Sequence, residues 1–242
     1  MRYRLMSIEF FVYGTMAVYS LLSQFLANEE LSKSQIGILM AILPITSLYA
    51  NHLNFEIAST IGRVNWLKRV ILFAGILFWG LFLFDEFYLK LLFMAVFAFF
   101  FSAVTPLSES VIVDITYQMK MNYGRIRLFG TFGFSFTALL MSGLIRLGFV
   151  TIFCTFTTLM FLTFLILNPM KEVELGEEEK RKSKKPLPTF FWLLLPVVIF
   201  GIAANNFNFV FLPVLMKERN YDVSLASIAL SLMAITETPF LL

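Results

Sequence analysis

Apolar runs long enough to cross a bilayer recur from one end of this 242-residue chain to the other, and nothing else in it constrains the fold so tightly. A helix needs roughly 20 apolar residues to traverse the hydrocarbon core. No water is available there to satisfy backbone N–H and C=O groups, so a segment of that length must bond internally as a helix. The runs predict helices over 5–27, 35–58, 66–84, 87–115, 123–145, 149–168, 190–215 and 224–242. The first is too long for the roughly 7–15-residue core of a cleavable signal peptide and is read as a span. The predicted fold class is an all-α polytopic membrane protein. Its domains are a six-helix N-terminal bundle (1–168), a charged linker (169–189) and a partial C-terminal bundle (190–242). The linker segment from Glu177 to Pro188 is charge-blocked and closed by prolines, a composition that cannot bury a core.

Composition removes most competing classes. With 59% hydrophobic and 14% charged residues, the chain is neither a soluble domain nor a disordered one. The net charge of +3 is no nucleic-acid signature, because the basic residues lie in short connections between spans. Arg2, Arg4, Arg63, Lys68, Arg69, Lys120, Arg125 and Lys180–Lys185 fall on one side of the predicted topology. Connections 28–34, 85–86 and 217–223, acidic or mixed, fall on the other. The positive-inside rule therefore places the N-terminus and the 169–189 linker in the cytoplasm of a multi-pass protein of the plasma (inner) membrane. One cysteine, Cys154, allows no intrachain disulfide, and one histidine, His52, allows no multi-histidine metal site. A membrane-embedded enzyme, such as a lipid-modifying one, would need clustered His, Asp or Cys, and the chain has neither an HExxH pattern nor an Asp-rich motif. The expectation is no enzyme, no metal and no cofactor.

Polar residues inside the spans mark where chemistry would sit. Arg125 and Arg127 stand at the mouth of the apolar segment 128–144, and Glu109 lies on the preceding span. An arginine carried toward lipid stays near a helix end, faces a hydrated cavity or pairs with a carboxylate. Arg125 and Arg127 are two residues apart and face different ways; Arg125 reads as an interfacial anchor and Arg127 as the inward one. Ser102, Thr105, Glu109 and Thr116 fall near one face of the fourth span at helical spacing. Glu109 is either a structural ion pair or a substrate- or proton-coupled carboxylate. Glu237 lies within the eighth apolar segment, before Thr238-Pro239, where a proline loosens a helix. Asn205, Asn206 and Asn208 cluster in the seventh span and need partners, a neighbouring helix or a cavity. Tyr13 and Tyr19 are candidate stacking surfaces on the first. Gly130 and Gly133 read as close-packing positions, Glu9 and Asp114 as groups near helix ends in solvent or salt bridges. His52, Asn51 and Asn54 read as a polar surface patch. The four residues Leu39–Ile42 recur as Leu232–Ile235, each after a span and a polar turn, which fits two parallel repeats around a midplane site.

Tyr123-Gly-Arg-Ile-Arg-Leu-Phe-Gly130 resembles the major facilitator superfamily, within it the branch of lactose permease, oligosaccharide:proton symporters and phenylpropionate permeases. That branch has aromatic, Gly, Arg, x, Arg, apolar, aromatic, Gly at the start of helix five. Glu109 lies at the spacing of its helix-four carboxylate, and Leu31–Gly37 is similar to its helix 1–2 connection. The resemblance implies a twelve-span secondary transporter, of which eight spans are present here, so the chain is expected to be C-terminally incomplete. It implies proton-coupled symport of a small polar or amphipathic solute (a sugar, nucleoside or aromatic acid), with the proton gradient as the coupling ion. Glu109, Arg127 and Glu237 would then be the substrate and proton-coupling residues, and Tyr13, Thr105, Asn205, Asn206 and Asn208 would line the cavity. The expected partners are a small-molecule substrate and the lipid bilayer, with no nucleic acid, in a monomer. The alternative is a truncated relative that does not transport. One departure stands out. The loop after helix two keeps Gly62-Arg63 but has Ser59-Thr60 where the family carries Asp-Arg, which weakens the expected latch there.

Overall fold

The computed structural model describes residues 1–29, 31–170, 189–219, 221–222 and 224–237. Its regular elements are α1 (Arg2–Tyr19), α2 (Leu22–Asn28), α3 (Lys33–Ile61), α4 (Arg63–Leu77), α5 (Gly80–Leu83), α6 (Phe87–Gln118), α7 (Tyr123–Leu144), α8 (Val150–Leu167), α9 (Thr189–Glu218) and α10 (Ser224–Glu237), with one 3₁₀ turn at Ile145–Leu147. Six helical spans among the described residues are long and apolar enough to cross a membrane: Arg2–Asn28, Lys33–Ile61, Arg63–Leu83, Phe87–Gln118, Tyr123–Leu147 and Val150–Leu167. Each falls within a few residues of its prediction. The linker predicted at 169–189 lies almost wholly outside the described residues, as does the end of the eighth run beyond Glu237.

Two predicted spans are broken. The first divides into α1 and α2 around Ser20, whose hydroxyl donates back to the Ala17 carbonyl at 2.7 Å and competes with the helical ladder. The third divides into α4 and α5 at Trp79, whose indole N–H donates to Thr157 on α8 at 2.8 Å. Helix ends are set locally. Ser32 and Gln35 form a reciprocal capping box at the start of α3, and Asn122 accepts from the Arg125 N–H to open α7.

α1 is the hub. It packs against α7, α8 and α6, while α3 lies on α6 and α4, α10 on α7 and α9 on α2. Helices come closest where α1 crosses α7. A methyl built on Gly133 would stand 2.0 Å from the Phe10 carbonyl oxygen, so the expected close-packing role of Gly133 holds. Aromatic rings fill the space between α1–α2, α4, α6 and α8: Phe78 stacks against Phe156 at 4.2 Å between centroids, and Phe25 meets Phe153 edge-on at 5.0 Å. The opposite face of α3, with Ile45, Leu48 and Tyr49 exposed, presents apolar surface outward, as a lipid-facing helix does. Asn54, expected in a surface patch with His52, instead turns inward. Its amide accepts from Trp66 Nε1 at 2.8 Å and donates to the Phe99 carbonyl at 3.0 Å, tying α3, α4 and α6 together.

Candidate functional site

The polar groups of α1, α6 and α7 meet where these three helices pack. Tyr123 opens α7; Arg127 is four residues on and Gly130 three more, so they follow one face. Glu9 and Tyr13 are likewise four apart on α1. Glu109 comes from α6, three residues after Pro106, which lacks the N–H that would have closed on the Ser102 carbonyl. Glu9 stands seven residues inside the start of α1, about 10 Å along its axis, a depth well within a bilayer core of ~30 Å.

Glu109 gathers the cluster. The Tyr13 hydroxyl donates to its Oε1 at 2.7 Å, and the Tyr123 hydroxyl donates to its Oε2. Arg127 Nε lies 3.3 Å from Oε1, and its guanidinium carbon sits 3.9 Å from the centroid of the Tyr13 ring. A carboxylate bridged this way is matched in charge and held on both oxygens, and the arginine is held in turn by ring and carboxylate. Glu109 and Arg127 keep partial access, with side chains 20% and 28% exposed. A polar ligand entering between these helices would meet both.

Among the expected residues, the structure brings together Glu109, Arg127 and Tyr13. Thr105 lies one turn before Glu109 on α6, its hydroxyl oxygen buried without a hydrogen-bond partner among the described residues. The rest of the predicted polar stripe is largely self-contained: Ser102 and Thr116 donate to the carbonyls of Phe99 and Val113 on their own helix. Arg125 is exposed, as an anchor is. Asn205, Asn206 and Asn208 belong to α9, and Glu237 is the last residue of α10. The side chains of all four lie outside the described residues.

One expectation changes and two residues gain a setting. Glu9, read as a group near a helix end in solvent or a salt bridge, is 1% exposed, and neither carboxylate oxygen has a hydrogen-bond partner among the described residues. Gly130 packs closely against α1, as expected, and also borders the charged cluster: a methyl there would stand 2.8 Å from Arg127 Nη1, 3.0 Å from Glu9 Oε2 and 2.7 Å from Tyr13 Cδ2. Tyr123, for which the sequence suggests no role, is a direct partner of Glu109. The i, i+4 spacings Glu9–Tyr13 and Tyr123–Arg127 carry the signal that finds both residues.

Asp114, by contrast, forms the salt bridge expected of it, at 2.5 Å from Arg63 Nη1, which also donates to Ser110 at 2.7 Å. Arg63 belongs to the Gly62-Arg63 remnant of the loop, so this residue pins the start of α4 to α6. Nearby, Lys68 Nζ donates to the carbonyls of Asn168 and Met170 at 3.1 and 3.2 Å.

Solved structures share the architecture. The nucleoside transporter NupG, in a mutant form, superimposes with a TM-score of 0.80 at 16% identity, over 99% of this chain and 66% of that one. A D-xylose-proton symporter superimposes with a TM-score of 0.60 at 15% identity, over 98% and 65%. At these identities the likeness establishes the fold, which is that of the major facilitator transporters. Among curated relatives, an uncharacterized transporter, YwbF of Bacillus subtilis (strain 168), is 35% identical over 123 residues, covering 50% of this chain and 31% of that protein. A maltose permease of Geobacillus stearothermophilus is 26% identical over 242 residues, covering 96% of this chain and 60% of that protein. The chain thus spans less than two thirds of the length of these relatives. The family model described as the MFS_1 like family matches residues 3–242, and the chain belongs to that family of membrane transporters.

Proposed function

We propose that this chain forms part of a secondary active transporter that carries a small polar or amphipathic solute, a sugar, nucleoside or aromatic acid, in symport with protons by alternating access. The observation that carries this reading is the Glu109 cluster: a carboxylate inside the membrane, bonded to Tyr13 and Tyr123 and paired with Arg127, where three helices meet. Intramembrane acids and bases are expensive and are retained at substrate and ion pathways. The Arg127 fork is suited to hydroxyl pairs or a carboxylate, and the Tyr13 ring offers a stacking surface beside it. A proton on Glu109 would remove the charge that holds Arg127 and take up one of the two accepting oxygens, so proton and solute would compete for, or share, one set of partners. That coupling needs no cofactor. Proteins named as a nucleoside transporter, a maltose permease and a D-xylose-proton symporter support the solute classes by their names.

In this reading the protein works as a monomer in the inner membrane, with the N-terminus and the 169–189 linker cytoplasmic, the linker joining two bundles. Glu237 and the asparagines of α9 would complete the cavity from the second bundle.

The test is accumulation in energised vesicles of radiolabelled maltose, uridine and 3-phenylpropionate. For whichever probe accumulates, Arg127→Ala should reduce uptake about a hundredfold, since it leaves a buried carboxylate unpaired. Glu109→Gln should abolish gradient-driven accumulation while retaining exchange. Unchanged accumulation in both variants sinks the site assignment.

A further inference from the structure

The Glu109–Arg127 pair leaves other polar atoms unclaimed in the same place. Both oxygens of Glu9 and the Nη1 nitrogen of Arg127 are buried and lack hydrogen-bond partners among the described residues. These atoms gather against Gly130: a methyl there would stand 2.8 Å from Arg127 Nη1, 3.0 Å from Glu9 Oε2 and 2.7 Å from the Tyr13 ring. An acceptor and a donor are therefore packed close together around a glycine, in a place where no side chain of α7 intervenes.

Burying such groups without partners is costly, and folded proteins hold them that way where something else supplies the partner. Nothing in the fold explains Glu9 otherwise. Among the described residues it has no hydrogen-bond partner, whereas Asp114 and Arg63 tie α6 to α4.

We infer that Glu9 is a solute-contacting residue. It accepts from a hydroxyl or N–H of the carried molecule while Arg127 Nη1 donates to a neighbouring oxygen, and the pair selects neutral, hydroxyl-bearing solutes over anions. This rests on the transporter reading above and narrows it. The charge balance gives the selection. The Arg127 guanidinium is already matched by Glu109, and a second carboxyl beside it adds none of the positive charge that an anion needs. A neutral diol can serve both the Glu9 acceptor and the Arg127 donor, since each of its hydroxyls can donate or accept. An aromatic acid would bring its carboxylate against Glu9.

The test is equilibrium dialysis of detergent-purified, full-length protein with radiolabelled maltose, uridine and 3-phenylpropionate, alongside thermal unfolding. The wild type should bind maltose or uridine more tightly than 3-phenylpropionate. Glu9→Gln should weaken the preferred neutral probe about ten- to a hundredfold, the range of a lost charge-assisted hydrogen bond, with the unfolding midpoint unchanged. The same variant should bind 3-phenylpropionate more tightly than wild type. Should Glu9→Gln unfold early, Glu9→Asp, which withdraws the carboxylate by one methylene, serves in its place with the same expected loss. Unchanged neutral-probe binding in these Glu9 variants, while Arg127→Ala weakens it, overturns the inference and leaves the transporter reading standing. Preference for 3-phenylpropionate in the wild type also overturns it alone. Failure of all three probes to bind, or binding insensitive to Glu9 and Arg127 alike, overturns both.

Discussion

At the residue scale, Gly130 and Gly133 of α7 face the same neighbour and meet different parts of it. A methyl at Gly133 runs into the Phe10 backbone, with carbonyl oxygen, carbonyl carbon and Cα at 2.0, 2.6 and 2.6 Å, and a backbone cannot step aside without moving α1. Gly133→Ala should therefore destabilise by about 1–3 kcal/mol, the cost of overpacking, and lower the unfolding midpoint in detergent. A methyl at Gly130 meets only side-chain atoms, the Tyr13 ring and the ends of Arg127 and Glu9. Gly130→Ala should lower the midpoint less than Gly133→Ala does and reduce solute binding. The pair is checked by melting curves and equilibrium dialysis on both variants; equal effects on stability would contradict the division of labour. From sequence the two positions look alike, because glycine three residues apart on an apolar helix signals close approach but not what approaches. Glu109 and Arg127 were legible because charge inside an apolar run is conspicuous. Glu9 was not, because its distance from Arg2 and Arg4 is short in residues. Seven residues of helix nonetheless carry it about 10 Å inward.

Elements were the most legible level, since a bilayer admits few solutions for a run of twenty apolar residues. What the runs could not tell is how their ends are tied. Lys90 lies in the first turn of α6. It is fully buried, donating to the Leu81 carbonyl of α5 at 2.8 Å, lying 3.4 Å from Glu29 after α2 and 5.3 Å from the centroid of the Phe25 ring. One ammonium thus fastens three elements at this end of the bundle. Lys90→Met keeps much of the apolar stem but leaves the Leu81 carbonyl and Glu29 without their donor. It should cost about 1–3 kcal/mol of stability. Because Lys90 lies at the other end of the helices from Glu109, the variant that remains folded should bind solute with wild-type affinity. Thermal unfolding and dialysis on the same preparation check this, and a loss of affinity without a loss of stability would count against it. The breaks after Tyr19 and Leu77 were illegible for a related reason: Ser20 and Trp79 act through a hydroxyl and an indole N–H, which hydropathy averages away.

For the whole molecule, the contacts between the first six spans and α9–α10 include two ion pairs, both at the end where α3 and α10 begin and α9 ends. Lys33 at the start of α3 meets Glu218 at the end of α9 at 2.7 Å, over an apolar cleft lined by Ile36, Phe211, Val214 and Leu215. Arg146 after α7 reaches Asp222 at 3.3 Å and the Ser224 hydroxyl at 3.0 Å. In an alternating-access cycle, contacts at one end must break when that end opens. These side chains are exposed, 79% and 43% in one pair and 62% and 52% in the other, so each pair is weak, screened by salt and easily released. Hydrogen bonds from Ser224, first from its side chain and then from its backbone, together with Arg146 hold the Asp222 carboxyl below its usual value. The sign follows: with the folded value depressed, the contact is fully present above the ordinary carboxylate range and is lost as pH falls through the depressed one. Across neutral pH Asp222 keeps its charge, so it can act as a latch but not as the proton sensor. Lys33→Gln combined with Asp222→Asn should therefore speed alkylation of a cysteine placed at Val214, in a Cys154→Ser background, by up to about fivefold at low salt, less at high salt. The pH profile of uptake between 5 and 8 should not move. A shifted profile would place proton coupling at this end rather than at the Glu109 cluster, and an unchanged alkylation rate would show that other contacts hold the end closed.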